Sequence, residues 1–209
     1  MVKIIEPSYE ILDDINGEEI LKKIEAAGRT CYKSEDKITP DSAKRFVKMV
    51  LDRGHESVIE HEKVSVRVIC DRGVSHEIVR HRLASYSQES TRYCNYGKDK
   101  FGNEITVIDI RPFIDNEFLY QDWLYAMKEA EKTYMRLIEH GLPPQIARSV
   151  LPNSLKTEIV ITYNLREWRH FFKLRTSKAA HPQLRQITVP MLKEFQEKIP
   201  AIFDDIIPG

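Results

Sequence analysis

The spacing of apolar residues changes several times along the chain, and each change marks a candidate element. Val2 to Ile5 form a short apolar run that reads as a first strand. From Glu18 to Ala27, Ile20, Leu21, Ile24 and Ala27 recur at helical spacing, so an amphipathic helix is expected there. A second helix is expected from Thr39 to Gly54, capped by Thr39 or Asp41 and ended by Gly54. Strict alternation then takes over. Val64, Val66 and Val68 are separated by Ser65 and Arg67, the pattern of a half-buried strand. Helical spacing returns through Val74, Ile78 and His81. Arg80 and Arg82 would face different directions on that helix. Arg80, His81 and Arg82 are therefore expected where the helix ends and the chain turns.

Glu104 to Ile110 reads as another strand. Asn116 to His140 is the clearest helix, with Trp123, Met127, Ala130, Tyr134 and Leu137 in one continuous stripe. Such a stripe is expected to face a core rather than to hold a cofactor. Pro143 to Pro152 reads as a short helix between prolines. Leu155 to Asn164, rich in Ile, Val, Thr and Tyr, reads as a strand. Leu165 to Arg175 returns to helix, with Leu165, Trp168, Phe171 and Phe172 as its inner face. A long helical region follows, expected to break near Pro190 and Pro200. Strands separated by long helices point to an α+β or α/β fold, and 209 residues suit one domain with a real core.

Charge and cysteine usage narrow the function classes. The chain has 32 basic and 32 acidic side chains. A net charge of zero argues against a general nucleic-acid binder but leaves room for a local anion site. No stretch reaches the roughly 18 apolar residues of a membrane span. The opening "MVKIIEPSYEILDD" does not read as a secretory signal. Cys31, Cys70 and Cys94 show no C-x-x-C spacing, which suits reduced thiols in a cytoplasmic protein.

Three stretches could carry chemistry. "RHRLASYSQESTRY", Arg80 to Tyr93, concentrates arginines, a histidine and serines. Guanidinium forks match phosphate oxygens, serine hydroxyls add donors, and the Gln88 amide can read a ring edge. On the residues alone it is equally an anion site or a solvated helix end with a Ser-rich loop. "NLREWRHFFKLR", Asn164 to Arg175, places Arg166 and His170 on one helix face and Arg169 and Lys173 on an adjoining one. Only Glu167 opposes these cations within the stretch, and Asn164 could cap the helix, whose N-terminus attracts phosphate. This face reads as either an anion site or a solvated surface. In "GHESVIEH", His55 and His61 are six residues apart, roughly 120° out of alignment on a helix. A loop histidine lining a ligand pocket is expected there rather than a metal centre. The chain has no G-x-S-x-G elbow, and no cysteine has an obvious neighbouring base, so covalent catalysis by the protein is not supported.

Read as R-H-R-x-x-S-x-x-x-x-S-x-R, the stretch from Arg80 to Arg92 resembles the signature of the flavin-dependent thymidylate synthases. "GRTCY" at Gly28 to Tyr32, "GHESVIEH", "IARSVLP" at Ile146 to Pro152 and "NLREWRHFFKLR" resemble further blocks of that family, in family order. The resemblance implies an α+β fold in one domain over residues 1–209, with a mainly antiparallel sheet flanked by helices. It implies methylation of dUMP to dTMP, with methylenetetrahydrofolate as carbon donor and FAD, reduced by NADPH, as the source of hydride. It also implies a cytoplasmic homotetramer with active sites between subunits, acting on no nucleic acid or membrane.

By the same resemblance, His55, Ser57, Arg80, His81, Arg82, Gln88, Asn164, Arg166 and His170 stand at flavin-contacting positions. Glu77, Arg80, Gln88, Glu89, Ser90, Arg92, Arg148 and Arg175 stand at dUMP-contacting positions, and Arg175 is the residue expected to polarise the uracil ring. The chain carries Ser87 where the family usually has Asn, and Gln88 where many relatives have Glu. It carries Glu77 where many have Gln, and His170 where some have an amide. The competing expectation is a noncatalytic nucleotide- or RNA-binding module using the same arginines.

Overall fold

The computed structural model describes residues 2–209. Its strands are β1 (Lys3–Ile5), β2 (Ser8–Ile11), β3 (Lys63–Asp71), β4 (Ala84–Gln88), β5 (Thr106–Ile108) and β6 (Lys156–Asn164). Its helices are α1 (Gly17–Thr30), α2 (Ser42–Asp52), α3 (Arg72–Ile78), α4 (Glu117–Glu139), α5 (Pro144–Ala147), α6 (Leu165–Arg175), α7 (Pro182–Lys198) and α8 (Pro200–Phe203). β1 and β5 pair in parallel, Lys3 opposite Thr106 and Ile5 opposite Ile108. The other four strands form a sheet in the order β2-β3-β6-β4. Its pairing is antiparallel: Ser65 meets Thr162, whereas Arg72 N–H donates to Leu155 C=O. The α+β class with a mainly antiparallel sheet is thus observed. Among the described residues, no helix is long and apolar enough to cross a membrane.

The chain divides into two compact units. One contains the chain through Ser8, Val68–Glu77 and Ser87–Ile159; the other contains Tyr9–Arg67, Ile78–Tyr86 and Val160–Gly209. In the first unit, Tyr96, Ile105, Val107, Met127, Tyr134, Ala147 and Leu155 form a buried cluster. α4 contributes Met127 and Tyr134 from the stripe read in the sequence, with Trp123 and Leu137 packed at its margin. Asn116 caps α4 by accepting from the N–H groups of Phe118 and Leu119.

The second unit is built round α6. Trp168 is fully buried, donates Nε1–H to Val64 C=O at 2.9 Å and stacks on Phe172 with ring centroids 5.4 Å apart. Phe195 of α7 and Phe203 of α8 complete the aromatic cluster. Burying rings of this size contributes about 1.5–3 kcal/mol for each phenylalanine, which anchors the helix that carries much of the candidate site.

Some expectations change. Neither Thr39 nor Asp41 caps α2 with its side chain; Ser42 Oγ accepts from Thr39 N–H at 2.9 Å and bonds Glu25 Oε2 at 2.7 Å. The chain does not break at Pro190, which lies inside α7, because buried Met191, Leu192 and Phe195 hold the helix across the missing N–H. Pro200 does open a new helix. β2 and β4 were not expected. The β4 sequence ASYSQ alternates in exposure but carries few apolar residues, so its periodicity is hidden among serines.

Candidate active site

α3 ends at Ile78, and the chain turns through Arg80, His81 and Arg82 before β4. This is the turn anticipated from the spacing. Tyr86 pins it: its hydroxyl lies 3.0 Å from Ile78 O, 3.1 Å from His81 O and 2.9 Å from Tyr163 Oη. Arg80 and Arg82 face solvent, whereas His81 is buried between them.

His81 is the centre of a hydrogen-bond chain on α6. Its Nδ1 lies 2.8 Å from Glu167 Oε1, and its Nε2 accepts from Arg175 Nε–H at 2.9 Å. Accepting at Nε2 requires a neutral ring with its proton on Nδ1, donated to Glu167. Burial, then the neighbouring Arg175 and His170, push the His81 pKa down to about 4. Burial alone pushes Glu167 up to about 7. Phe171 packs edge-on to the imidazole at 5.0 Å. Donor atoms of His81, Glu167 and His170 all lie within 4.8 Å of one another. Both His81 nitrogens are already engaged and a guanidinium stands beside them, so the group reads as a hydrogen-bond network rather than a metal centre.

Beside this network lies a cavity of about 420 Å³, lined by Glu56, Arg82, Asn164, Arg166, His170 and Lys173 among others. It gathers Arg82, Asn164, Arg166 and His170, four of the residues expected to meet flavin. Asn164 caps α6 by accepting Glu167 N–H at 2.8 Å, so the helix N-terminus adjoins the cavity. Ser57 and the exposed His55 belong to the short helical turn Glu56–His61 and its cap. Its glutamates face α6: Arg166 Nη1 donates to Glu60 at 2.6 Å, and Lys173 lies 3.8 Å from Glu56. Glu167 is therefore not the sole counter-charge to the α6 cations. A larger depression of about 760 Å³ shares Glu60, Leu83 and Asn164 with this cavity.

Arg169 departs from the expected cationic face. It is buried, holds Asp205 with two bonds of 2.6 and 2.7 Å, bonds Ile202 C=O and reaches Glu56 at 3.3 Å. It ties α6 to the C-terminal segment rather than facing a ligand.

The expected nucleotide residues other than Arg80 and Arg175 lie in the first unit. Gln88 Nε2 donates to Ser75 Oγ at 2.9 Å and to Thr157 Oγ1 at 3.2 Å, so this expected flavin and dUMP contact is half-buried in the sheet. Glu89 accepts from Tyr96 Oη at 3.0 Å and from Lys156 Nζ at 2.8 Å. Ser90 Oγ accepts from Arg92 N–H, Arg92 Nε bonds Gln145, and Arg148 Nη1 donates to Thr91 Oγ1 at 3.2 Å. Two exposed arginines thus stand within a few residues of Ser90 in the chain or bonded to its neighbour Thr91, and guanidiniums with nearby hydroxyls are a donor set suited to phosphate. Glu77 is partly buried at the end of α3.

Sequence reasoning missed Tyr86, weighed Glu56 and Glu60 only as metal ligands, and saw Glu167 only as a counter-charge. Each has a partner far along the chain, 77 residues away for Tyr86 and Tyr163, 86 for His81 and Glu167, 106 for Glu60 and Arg166 and 113 for Glu56 and Arg169, so local spacing carried no signal for these contacts.

Comparison with known proteins places these residues in a family. A family model described as "Thymidylate synthase complementing protein" matches residues 11–201. The flavin-dependent thymidylate synthase of Corynebacterium efficiens is 32% identical, covering 92% of this chain and 81% of that protein. The enzyme of the same name from Geobacter sulfurreducens is 35% identical, covering 88% and 80%. That from Pyrococcus abyssi is 37% identical, covering 79% and 67%. Among solved structures, the UMP/dUMP methylase PolB of Streptomyces cacaoi, bound with 5-Br dUMP, has a similar fold. Its TM-score is 0.77 at 23% identity, with 97% of this chain and 96% of that one covered. The extent of these matches, with the R-H-R signature inside them, shows that the chain belongs to the flavin-dependent thymidylate synthase family.

Proposed function

We propose that this enzyme converts dUMP to dTMP by reductive methylation, with methylenetetrahydrofolate as carbon donor, FAD as cofactor and NADPH as reductant. The observation that carries this reading is the cavity that gathers Arg82, Asn164, Arg166 and His170, family flavin positions that are scattered in the sequence. Guanidiniums, an ammonium and a helix N-terminus there suit a dinucleotide's anionic groups. His55, Ser57 and Arg80 would add contacts at its edges. Gln88, Glu89, Ser90, Arg92, Arg148 and Glu77 would hold dUMP, with Arg92 and Arg148 on its phosphate.

Carbon transfer to uracil C5 needs electron density at that carbon. Arg175 would stabilise the negative charge that develops on the ring. This activation needs no enzyme thiol, and Cys70 is buried with its pKa pushed well above the ordinary thiol value. Bound FAD, recharged by NADPH, would supply the reducing equivalents. The working form is proposed to be a cytoplasmic homotetramer of single-domain chains with inter-subunit active sites. Flavin content offers the first test. Protein purified with bound FAD, released on unfolding, meets the requirement; protein that neither carries nor takes up FAD defeats the reading.

A further inference from the structure

Glu89 is an acid at the head of a segment suited to phosphate. It immediately precedes Ser90, with Arg92 close behind. An unpaired carboxylate there would oppose an approaching phosphate. The fold gives this one two partners. Its Oε2 accepts from Lys156 Nζ at 2.8 Å, and its Oε1 accepts from Tyr96 Oη at 3.0 Å. The ammonium offsets the charge, and the pair is mostly shielded, with side chains 14% and 22% exposed for Glu89 and Lys156. Burial, reinforced by Glu89, pushes the Tyr96 hydroxyl well above the ordinary phenol range, so it remains a donor. The bond to Tyr96 also closes a loop. The Glu89 backbone is held, its N–H donating to Glu158 C=O at 2.8 Å and its C=O accepting from Arg72 Nη1 at 3.3 Å. Tyr96 is buried, its ring lies against Phe101 and Tyr134, and its N–H donates to Tyr134 Oη at 3.3 Å. Between these two anchors, Ser90 C=O accepts from the N–H groups of Tyr93 and Cys94, and Arg92 stands exposed.

We propose that Glu89 is a positioning residue for the Ser90–Arg92 loop: its carboxylate clasps Tyr96 to fix the loop, and Lys156 offsets its charge so that a phosphate can approach. A loop ordered before binding spares the nucleotide the cost of ordering it. The carboxylate is well suited to the clasp because it can accept from two donors at once, one on each oxygen. Its charge is the liability, and Lys156 answers that. Glu89 thus serves dUMP through the loop it holds rather than through its own carboxylate. This inference rests on the proposed role of Arg92 on the dUMP phosphate.

The test is calorimetric titration of the FAD-bound enzyme with dUMP, together with turnover at saturating dUMP. Glu89→Ala opens the clasp and is expected to weaken dUMP binding about three- to thirtyfold, with kcat and flavin content changed less than about threefold. Tyr96→Phe opens the same clasp with little change of shape and should weaken dUMP binding in the same direction. Glu89→Gln keeps an acceptor for Tyr96 and removes the charge, so dUMP affinity should stay within about threefold of the unaltered enzyme. Lys156→Met leaves the Glu89 charge without its ammonium and should weaken dUMP binding about three- to thirtyfold. Adding Glu89→Gln to Lys156→Met should recover most of that loss, with Glu158, the other acid near Lys156 at 3.7 Å, present in both variants. Loss of a merely structural contact would not be repaired in this way. Glu89→Gln as damaging as Glu89→Ala would overturn the inference, as would a double variant with no recovery.

A second cycle separates this inference from the reading beneath it. In an Arg92→Ala background, Glu89→Ala should cost dUMP binding little further, because the guanidinium it positions is gone. Full additivity of the two losses contradicts the clasp. If Arg92→Ala alone leaves dUMP affinity unchanged, the phosphate role of Arg92 fails and the inference falls with it. If Arg92→Ala weakens dUMP binding while Glu89→Ala and Tyr96→Phe do not, only the positioning role fails.

Discussion

Arg166 Nη1 donates to Glu60 Oε1 at 2.6 Å, joining two sequence blocks 106 residues apart. The same helix carries Arg169 one turn on, yet the two arginines differ in kind. Arg166 is 52% exposed at its side chain and lines a cavity; the Arg169 side chain is 4% exposed and locked to Asp205. Arg166→Ala is therefore expected to change folding stability by less than about 1 kcal/mol while lowering FAD retention. Arg169→Gln should destabilise by about 1–3 kcal/mol, because it leaves the buried Ile202 carbonyl without its donor and removes the paired bonds to Asp205. Urea denaturation and flavin absorbance on the two variants check both halves.

Arg92 offers the contrasting case in the first unit. If it grips the dUMP phosphate, Arg92→Ala should lose about 1.5–3 kcal/mol of nucleotide binding, roughly ten- to a hundredfold. Flavin content should stay nearly constant. Calorimetric titration with dUMP, alongside the flavin spectrum, measures both, and equal loss of the two ligands contradicts the assignment.

Arg175→Ala should separate binding from chemistry. Turnover is expected to fall by about a hundredfold or more, as for removal of a charge-stabilising group, with dUMP binding only partly weakened. Turnover near that of the unaltered enzyme would rule out its activating role.

The His81–Glu167 pair makes a prediction about pH. Burial raises Glu167 from 4.5 to about 7, so the folded state binds its proton more tightly; that contribution to stability is lost as pH rises through this range. His81 is lowered from 6.5 to about 4, so its contribution is lost as pH falls through that range. Between about pH 4.5 and 6.5 the two slopes oppose each other. Glu167→Gln keeps an acceptor for His81 Nδ1–H but removes one slope. The stability of this variant should therefore rise more steeply from pH 4.5 to 6.5 than that of the unaltered protein, as read by urea midpoints. Arg175, His170, Tyr163 and Tyr86, the other groups around the ring, are common to both proteins. Parallel profiles would contradict the assignment.

Much of this was legible in the sequence because the signals were local. The α6 face of Leu165, Trp168, Phe171 and Phe172 is buried as its spacing implied, and the Arg80–Arg82 turn falls just beyond the end of α3. The long alternating strands β3 and β6 were equally plain. What escaped was set by tertiary partners. β4 hides its strand periodicity among serines, and Ser42 rather than Thr39 or Asp41 serves α2 because Glu25, on another helix, is there to meet it. Arg169 looks like any surface cation until Asp205 is brought against it. The division of the Arg80–Tyr93 stretch after Tyr86 follows the fold. Arg80 to Tyr86 belong to the unit that contains α6, whose residues are proposed to hold flavin, and Ser87 to Tyr93 to the unit that contains Arg148.

The central claim is tested most directly by product formation from a complete and a depleted mixture. Purified enzyme with bound FAD, given dUMP, NADPH and methylenetetrahydrofolate labelled at its one-carbon unit, should yield dTMP carrying the label. Omitting NADPH or removing FAD should abolish it. FAD-loaded protein that binds dUMP yet forms no labelled dTMP in the complete mixture would contradict the account.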